Sequence, residues 1–521
     1  LMTIEAPTEA GPGRRMTCPK CQTEQPQAEQ CSHCSIFIDK YLARQAALSQ
    51  TAAAATSDSP YAPPRTQLDE PPAGFAELKV FSLKGRIGRL RYLAWSLVAM
   101  MALVGVLKTT NVFPWAVDRL LVRSRGNPGR AARLIIWFTG ILSAVLDNVT
   151  TVIFAYPTAS EMARRLGINA SAFLLPMVMA ANIGGTATLI GDPPNVLIGA
   201  DPRTGLSFMD FIYNLTVPCG LMMVVLVAYA RRYYPGDIGR QADTDHAAAA
   251  TPTGAQLTNL PLLRATGWIT ALIFLGFMTH GLTHMPVAVP AVIGIAGILL
   301  AQDYFYLREH RPTLEERQHG VLTILEKDIE WPTLAFFLFL FILVGAAVAT
   351  GLIESLALGL AWVIGKASTT FALSPRATLL LAALIILWVS GVLSALIDNI
   401  PYTAVTIPLV ASLLTALNAG PDGQVLWWAL ALGACLGGNG TLIGASANVT
   451  VTGLAEKDGK RISFGEFTAF GARVTAITLA MSSVYLALWI HVGPATVNVA
   501  GAVLLAAILA LQARRGGRPP A

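Results

Sequence analysis

Long apolar runs dominate this chain, at 207–230, 264–282, 286–302, 333–352, 379–397, 426–451, 469–491 and 494–512. Each is near the ~20 residues a helix needs to cross a bilayer. Of 521 residues 54% are hydrophobic and 13% charged, with mean hydropathy +0.55, where a soluble chain is about one-quarter charged. That leaves too little polar surface to coat a water-soluble fold of this size. The fold class is therefore an all-α polytopic membrane protein.

The net charge of +6 sits mostly in short loops between apolar runs, where it reports orientation rather than nucleic-acid binding. Two of the six cysteines, Cys219 and Cys435, stand alone inside apolar segments and read as inert packing residues. The other four form two CxxC knuckles, Cys18 with Cys21 and Cys31 with Cys34. Such a set suits a tetrahedral thiolate zinc site, with a disulfide pair or an unstructured tail as the alternative. Reduced thiolates and the absence of a secretory leader would put this end in the cytoplasm of a bacterial cell, on the inner membrane.

Residues 1–45 thus read as a small zinc-ribbon-like module and 46–80 as a flexible Ala/Ser/Thr/Pro-rich linker. Residues 81–111 resemble the opening of a small family of bacterial inner-membrane proteins. Beyond them runs an internal repeat. LSAVLDNVTT (142–151) is matched by LSALIDNIPY (393–402), and GGTATLIGDPPN (184–195) by GGNGTLIGASAN (437–448). Even the turns agree, SFMDF (207–211) against SFGEF (463–467). The body is a duplication, with a first half at 112–240, a cytoplasmic linker at 241–262, a second half at 263–492 and a C-terminal helix with a basic tail at 493–521.

The repeated motifs do not suit plain spanning helices. A helix through 176–200 meets Gly184, Gly185, Gly191, Pro193 and Pro194, at about 1 kcal/mol per glycine and about 3 per proline. Freed backbone groups cannot face lipid. A helix broken at Gly184–Asn195, and another at Gly437–Asn448, is the expectation. Paired breaks at matching places mark a transporter's midplane site; close helix packing is the simpler account of the glycines alone. Asp147 and Asp398 lie mid-run, where a carboxylate costs at least ~2.5 kcal/mol. Each Asp-Asn pair stands between arms too short to span separately, which predicts a re-entrant hairpin with Asp-Asn at its tip. An ordinary spanning helix with a polar kink is the alternative.

Loop charge supports the hairpin. Arg119, Arg123, Arg125, Arg130 and Arg133 precede the first tip, and Arg164 and Arg165 follow it, so both ends face the cytoplasm. The flanks of the second hairpin are poor in basic residues and fall outside, while Lys457, Lys460 and Arg461 return inside. The halves come out inverted, the architecture of alternating access.

On ANIGGTATLIGDPPNVLIG (181–199) and LDNVTTV (146–152), the chain resembles the ion transporter superfamily, nearest its P-protein and arsenical-permease branch. The resemblance implies sodium and substrate sites where hairpin tips meet broken helices. The first would use Asp147, Asn148, Thr150, Thr151, Gly184, Gly185, Thr186 and Asn195; the second Asp398, Asn399, Thr403, Asn439, Gly440, Thr441 and Asn448. It also implies dimers. Asn and Thr oxygens suit a hard cation such as sodium, with a proton as the other coupling ion, and half-helix N-termini suit an anion.

The dicarboxylate carriers of that superfamily have Ser-Asn-Thr at the tip, where this chain has Asp147-Asn148 and Asp398-Asn399. The added carboxylates favour a cation, a proton-coupled step or a neutral solute such as arsenous acid over citrate. Only 92–107 precedes the first hairpin, against four apolar segments before the second, so the first half reads as truncated and fused to its amino-terminal modules. The expected function is secondary transport of an inorganic ion or small anion. A non-transporting scaffold or sensor displaying a zinc ribbon is the rival. An enzyme is not expected: no His/Glu cluster of metalloprotease type lies in the apolar runs, and His280 and His284 sit at a loop.

Overall fold

A computed structural model of the chain describes residues 15–17, 24–26, 109–239, 256–283, 288–309 and 342–516, with a few positions flanking these stretches. It divides into two units, 1–81 and 82–521. In the first, strands β1 (Arg15–Thr17) and β2 (Glu24–Pro26) pair antiparallel, Met16 opposite Gln25. The cysteines expected to hold zinc, the linker and most of 81–111 lie outside the described residues, as do His284 and the His280 side chain.

The second unit is helical. Its first part holds α1 (Val112–Ser124), α2 (Pro128–Ser143), α3 (Asn148–Arg165), α4 (Ser171–Thr186), α5 (Pro193–Ala200) and α6 (Phe208–Tyr233). Then come α7 (Leu260–Thr283), α8 (Ala288–Glu309), α9 (Leu352–Thr370), α10 (Pro375–Leu396), α11 (Asn399–Ala416), α12 (Val425–Gly437), α13 (Ser446–Lys457), α14 (Phe464–Val492) and α15 (Pro494–Gly516). Among the described residues, seven helices are long and apolar enough to cross a membrane: α6, α7, α9, α10, α11, α14 and α15. Large apolar side chains such as Trp268, Leu300, Trp362 and Val503 point outward, as lipid-facing residues do. Helix α1 has 13 residues and spans about 20 Å, and helical positions are also described just before it, at 103, 105–107 and 109.

Helix starts follow the sequence. Asn127 caps α2, its side chain accepting from the Arg130 N–H at 2.9 Å, with Pro128 at the first turn. The matched SFMDF and SFGEF segments are capping motifs. Ser207 and Asp210 form a reciprocal box opening α6, and Ser463 accepts from the Glu466 N–H opening α14. This part of the repeat records helix initiation rather than ligand chemistry.

Both hairpins form. Gly140 of α2 lies against Gly184 of α4, and Ser143 against Gly191 just beyond α4. The two helices therefore run parallel, and α3 between them must return. Its open ends meet at one place: Gly129 abuts the Ile238 carbonyl, and the Asn169 N–H donates to Asp237 Oδ1 at 3.2 Å. In the second half Gly433 lies against Leu387 and Gly437 against Gly391, so α10 and α12 are likewise parallel and α11 returns. One expectation needs correcting. The first arm of the second hairpin, α10, has 22 residues, about 33 Å, and is long enough to span by itself. The hairpin is made by its tip, where Ile397 and Asp398 take extended backbone angles, and not by shortness of its arms.

The halves are inverted. Asn148 at the start of α3 lies at the centre, and Tyr156 further along α3 reaches the Leu454 carbonyl near the end of α13 at 3.1 Å. So α13 leaves the centre toward the open end of the first hairpin. Its counterpart α5 continues α4 away from that end and packs on α11.

Candidate functional site

Both broken helices stop where glycine removes the side chain and a polar run follows. The first break covers 187–192; the second follows the 3-10 turn Gly438–Gly440 and covers 441–445. Each break leaves carbonyls without intrahelical partners, and each half spends one asparagine on them. Asn195 Nδ2 donates to the carbonyls of Thr186 at 2.9 Å and Thr188 at 2.8 Å. Asn448 Nδ2 donates to those of Gly438 at 2.8 Å and Thr441 at 2.9 Å. A further bond ties each break to the first hairpin arm beside it: Thr188 Oγ1 donates to the Ala144 carbonyl at 2.6 Å, and Thr441 Oγ1 to that of Ala395.

The hairpin tips meet this platform. Asp147 accepts from the Thr150 N–H at 2.9 Å, capping α3, and Asp398 accepts from the Ile400 N–H at 3.0 Å and Ser446 Oγ at 2.7 Å. Both carboxylates are thus helix caps first. The neighbouring asparagines face inward. Asn148 Nδ2 donates to Asn182 Oδ1 at 3.0 Å and Asp192 Oδ1 at 3.2 Å, and Asn399 Nδ2 donates to the same Asp192 Oδ1 at 3.3 Å. Asn182 Nδ2 then crosses to the second half, donating to Asn439 Oδ1 at 2.8 Å and Asn448 Oδ1 at 3.1 Å. Cys435 Sγ crosses the other way, toward Asn195 Oδ1 at 3.6 Å.

The fifteen residues expected to bind substrate or ion fall into four groups. Asn148, Asn399, Asn439 and Asn448 join one buried amide network that runs through both halves, while Asn195 accepts from Cys435; each of the five is at most 3% exposed. Asp147, Asp398, Thr186, Thr403 and Thr441 spend their side chains on nearby backbone, Thr403 Oγ1 on the Asn399 carbonyl at 2.7 Å and Thr186 Oγ1 on that of Asn182 at 2.7 Å. Thr150 supplies only its N–H to Asp147, and Thr151 Oγ1 is buried without a hydrogen-bond partner among the described residues. Gly184, Gly185 and Gly440 let helices touch: a Cβ there would strike Gly140, Gly191 and Ala395. For these glycines the packing account holds.

Three residues that bond across the halves were not expected from the sequence: Asn182, Asp192 and Cys435. Asp192 is fully buried at the junction of both tips. The cost of an intramembrane carboxylate singles out Asp192 as much as Asp147 and Asp398, and that was the signal available. The reading of Cys435 as inert packing is corrected by its bond to Asn195; Cys219, also free and buried, fits that reading.

At the outer end of α3 a second tie joins the halves. Tyr156 OH donates to Asp458 Oδ2 at 2.7 Å, and Lys460 Nζ donates to Ser160 Oγ at 2.6 Å.

Comparison with known proteins agrees with this geometry. A protein-family model described as Citrate transporter matches residues 48–433. An uncharacterized transporter of Mycobacterium tuberculosis is 39% identical over 390 residues, covering 75% of this chain and 84% of its own. The 46 kDa membrane protein of Mycobacterium leprae is 37% identical over 395 residues, with the same coverage of 75% and 84%. The human P protein is 29% identical over 463 residues, which span 75% of this chain and 52% of that protein. Among solved structures, the Alcanivorax borkumensis YdaH transporter superposes with a TM-score of 0.53 at 15% identity, covering 92% of this chain and 94% of that one.

Proposed function

This chain belongs to the citrate transporter family, a multi-pass membrane transporter of the same type as the P protein, and we propose that it carries a small inorganic solute, a cation or a neutral oxyacid such as arsenous acid. The observation that carries this reading is the charge of the site. Asp147, Asp192 and Asp398 converge there, and the stretches 139–160, 171–200, 379–416 and 425–455 that build it contain no Lys, Arg or His. Like charges 4 Å apart repel by roughly 4 kcal/mol at an effective dielectric of 20. A free tricarboxylate would meet that repulsion three times over. A cation, or an uncharged solute that trades hydrogen bonds with the amides, would not.

In this reading the network of Asn148, Asn182, Asn399, Asn439 and Asn448 holds the solute between the halves, and the inverted repeats open it to either side in turn. The basic ends at Arg231 and Lys457–Arg461 face the cytoplasm. The family description names citrate and favours a second reading; the charge of the site would then require a divalent cation to enter with it.

Uptake of labelled arsenite, sodium and citrate into proteoliposomes, with citrate offered with and without magnesium, separates these readings. Saturable flux of arsenite or sodium, lost in Asn448→Ala, is the expected result. Saturable uptake of metal-free citrate would overturn the charge argument. Absence of flux for every probe would favour a non-transporting scaffold.

A further inference from the structure

Asp192 is a carboxylate that its own helix does not use. It stands at the N-cap of α5, yet its side chain makes no capping bond. The first two helical positions are Pro193 and Pro194, which have no N–H to offer. The N–H groups of Asn195 and Val196 bond the Asp192 main-chain carbonyl instead, at 3.0 and 3.3 Å. With the usual donors removed, the side chain turns to the hairpins. Its Oδ1 takes amide protons from Asn148 at 3.2 Å and Asn399 at 3.3 Å, the matched tip residues of the two halves.

The other carboxylate oxygen, Oδ2, is buried and has no hydrogen-bond partner among the described residues. The titratable groups facing the side chain are Asp147 and Asp398 at the two tips and Cys435 from α12, and none of them can supply positive charge. The repeat places Ala445 at the matching position, after the shared Leu-Ile-Gly. The carboxylate therefore occurs once in the repeated motif, at a point where both hairpin tips donate to it.

We propose that Asp192 is the binding position of a single monovalent coupling cation shared by both halves, which arrives at Oδ2 and weakens the hold of both tip amides together. The inference rests on the transporter reading and adds a stoichiometry to it: one coupling cation per cycle, rather than one at each tip. Either a proton or a sodium ion supplies the required charge. Two amides donate to Oδ1, so the charge, and not a cage of oxygen ligands, is what the position recognises.

The test reads binding rather than flux. The melting temperature of the purified full-length protein is followed against Na+ at constant ionic strength, with choline as the replacement, and separately against pH. The wild-type value rises by at least ~2 °C in one of the two series, as expected for a ligand that binds the folded state alone. The series that responds names the cation. Asp192→Asn abolishes that response, Asp192→Glu restores it, and Asp147→Asn and Asp398→Asn keep it. A wild type that answers neither cation, or an Asp192→Asn protein with the full response, overturns the proposal. Because melting is independent of which solute moves, a protein that binds the cation but transports no probe counts against the transporter reading alone.

Discussion

Asn182 and Cys435 occupy matched places in the two halves, each two positions before its Gly-Gly pair, and each reaches across to the break-spanning asparagine of the other half. Asn182 meets Asn448 at 3.1 Å and Cys435 meets Asn195 at 3.6 Å. The duplication thus preserves a crossed pair of contacts while letting one of them become a weak thiol donor. The asymmetry makes the two positions unequal under mutation.

Asn182→Ala removes a donor to two buried acceptors and an acceptor for Asn148. Interhelical hydrogen bonds in membranes average about 0.6 kcal/mol, so three together make a loss of roughly 2 kcal/mol. Cys435→Ala loses one weak bond and one sulfur atom, at about 0.5 kcal/mol on the same scale. Thermal unfolding of the two variants in detergent checks the order. Equal destabilisation would show that the crossed contacts do not carry the difference.

The break-spanning asparagines give a sharper chemical test. Asn195 and Asn448 each donate to two backbone carbonyls of the interrupted helix. Asn→Ala leaves the carbonyls unpaired, at about 1–3 kcal/mol. Asn→Asp sets a carboxylate oxygen against carbonyl oxygens and should be worse in both halves, although it is nearly isosteric. Yield of folded protein by size exclusion, together with melting temperature, ranks the four variants. An Asp variant as stable as wild type would show that these amides do not hold the breaks.

What could be read from the sequence were features that violate a local rule. Proline and glycine inside apolar runs announced both broken helices, and Asp-Asn between apolar arms announced both tips. The first break spans 187–192 within the expected Gly184–Asn195, and the second 441–445 within Gly437–Asn448. What stayed hidden were roles that exist only across the two halves. Asn182 looks like one polar residue in an otherwise apolar run, 172–185, and nothing local says that it faces Asn439 and Asn448. Asp192 reads as part of an Asp-Pro-Pro turn, where an N-cap needs no further explanation. Its second role appears only when α11 brings Asn399 to it from 207 positions away. The glycines show the same root from the other side. Gly184 and Gly185 stand in the motif of a binding site, but their missing side chains serve contact with Gly140 and Gly191.

That contact is itself testable. A methyl group at Gly184 would strike the Gly140 backbone, and one at Gly437 the Gly391 backbone. Alanine at either position should cost about 1–3 kcal/mol through overpacking and lower the folded yield. Alanine at Gly453, in helix α13 with open space around it, should be neutral or slightly stabilising by helix propensity. Similar behaviour of the three alanine variants would contradict the close approach of first arm and broken helix.

The polar tie at the outer end of α3 makes the last prediction, because the proposed alternation between two sides would require it to part. Tyr156 binds the Leu454 carbonyl and Asp458, and Ser160 binds Asp458 at 3.4 Å and Lys460 at 2.6 Å. The repeat puts Ile407 and Ala411 at the places of Tyr156 and Ser160, so the second hairpin has no equivalent clasp there. Among the described residues, the first hairpin thus carries a polar tie that the matched positions of the second do not make. Tyr156→Phe combined with Asp458→Asn removes most of these bonds, worth roughly 1–2 kcal/mol together at about 0.6 each. A change of 1.4 kcal/mol is tenfold in an equilibrium. A cysteine placed at the buried Ala163, 2% exposed beside this tie, should then react about tenfold faster with a membrane-impermeant maleimide offered from that side. Substituting the apolar Ile407 instead, as Ile407→Val, should leave labelling at position 163 unchanged. If the double variant labels no faster than its parent, the clasp does not hold that side shut, and the bias between the two sides must arise at the tips.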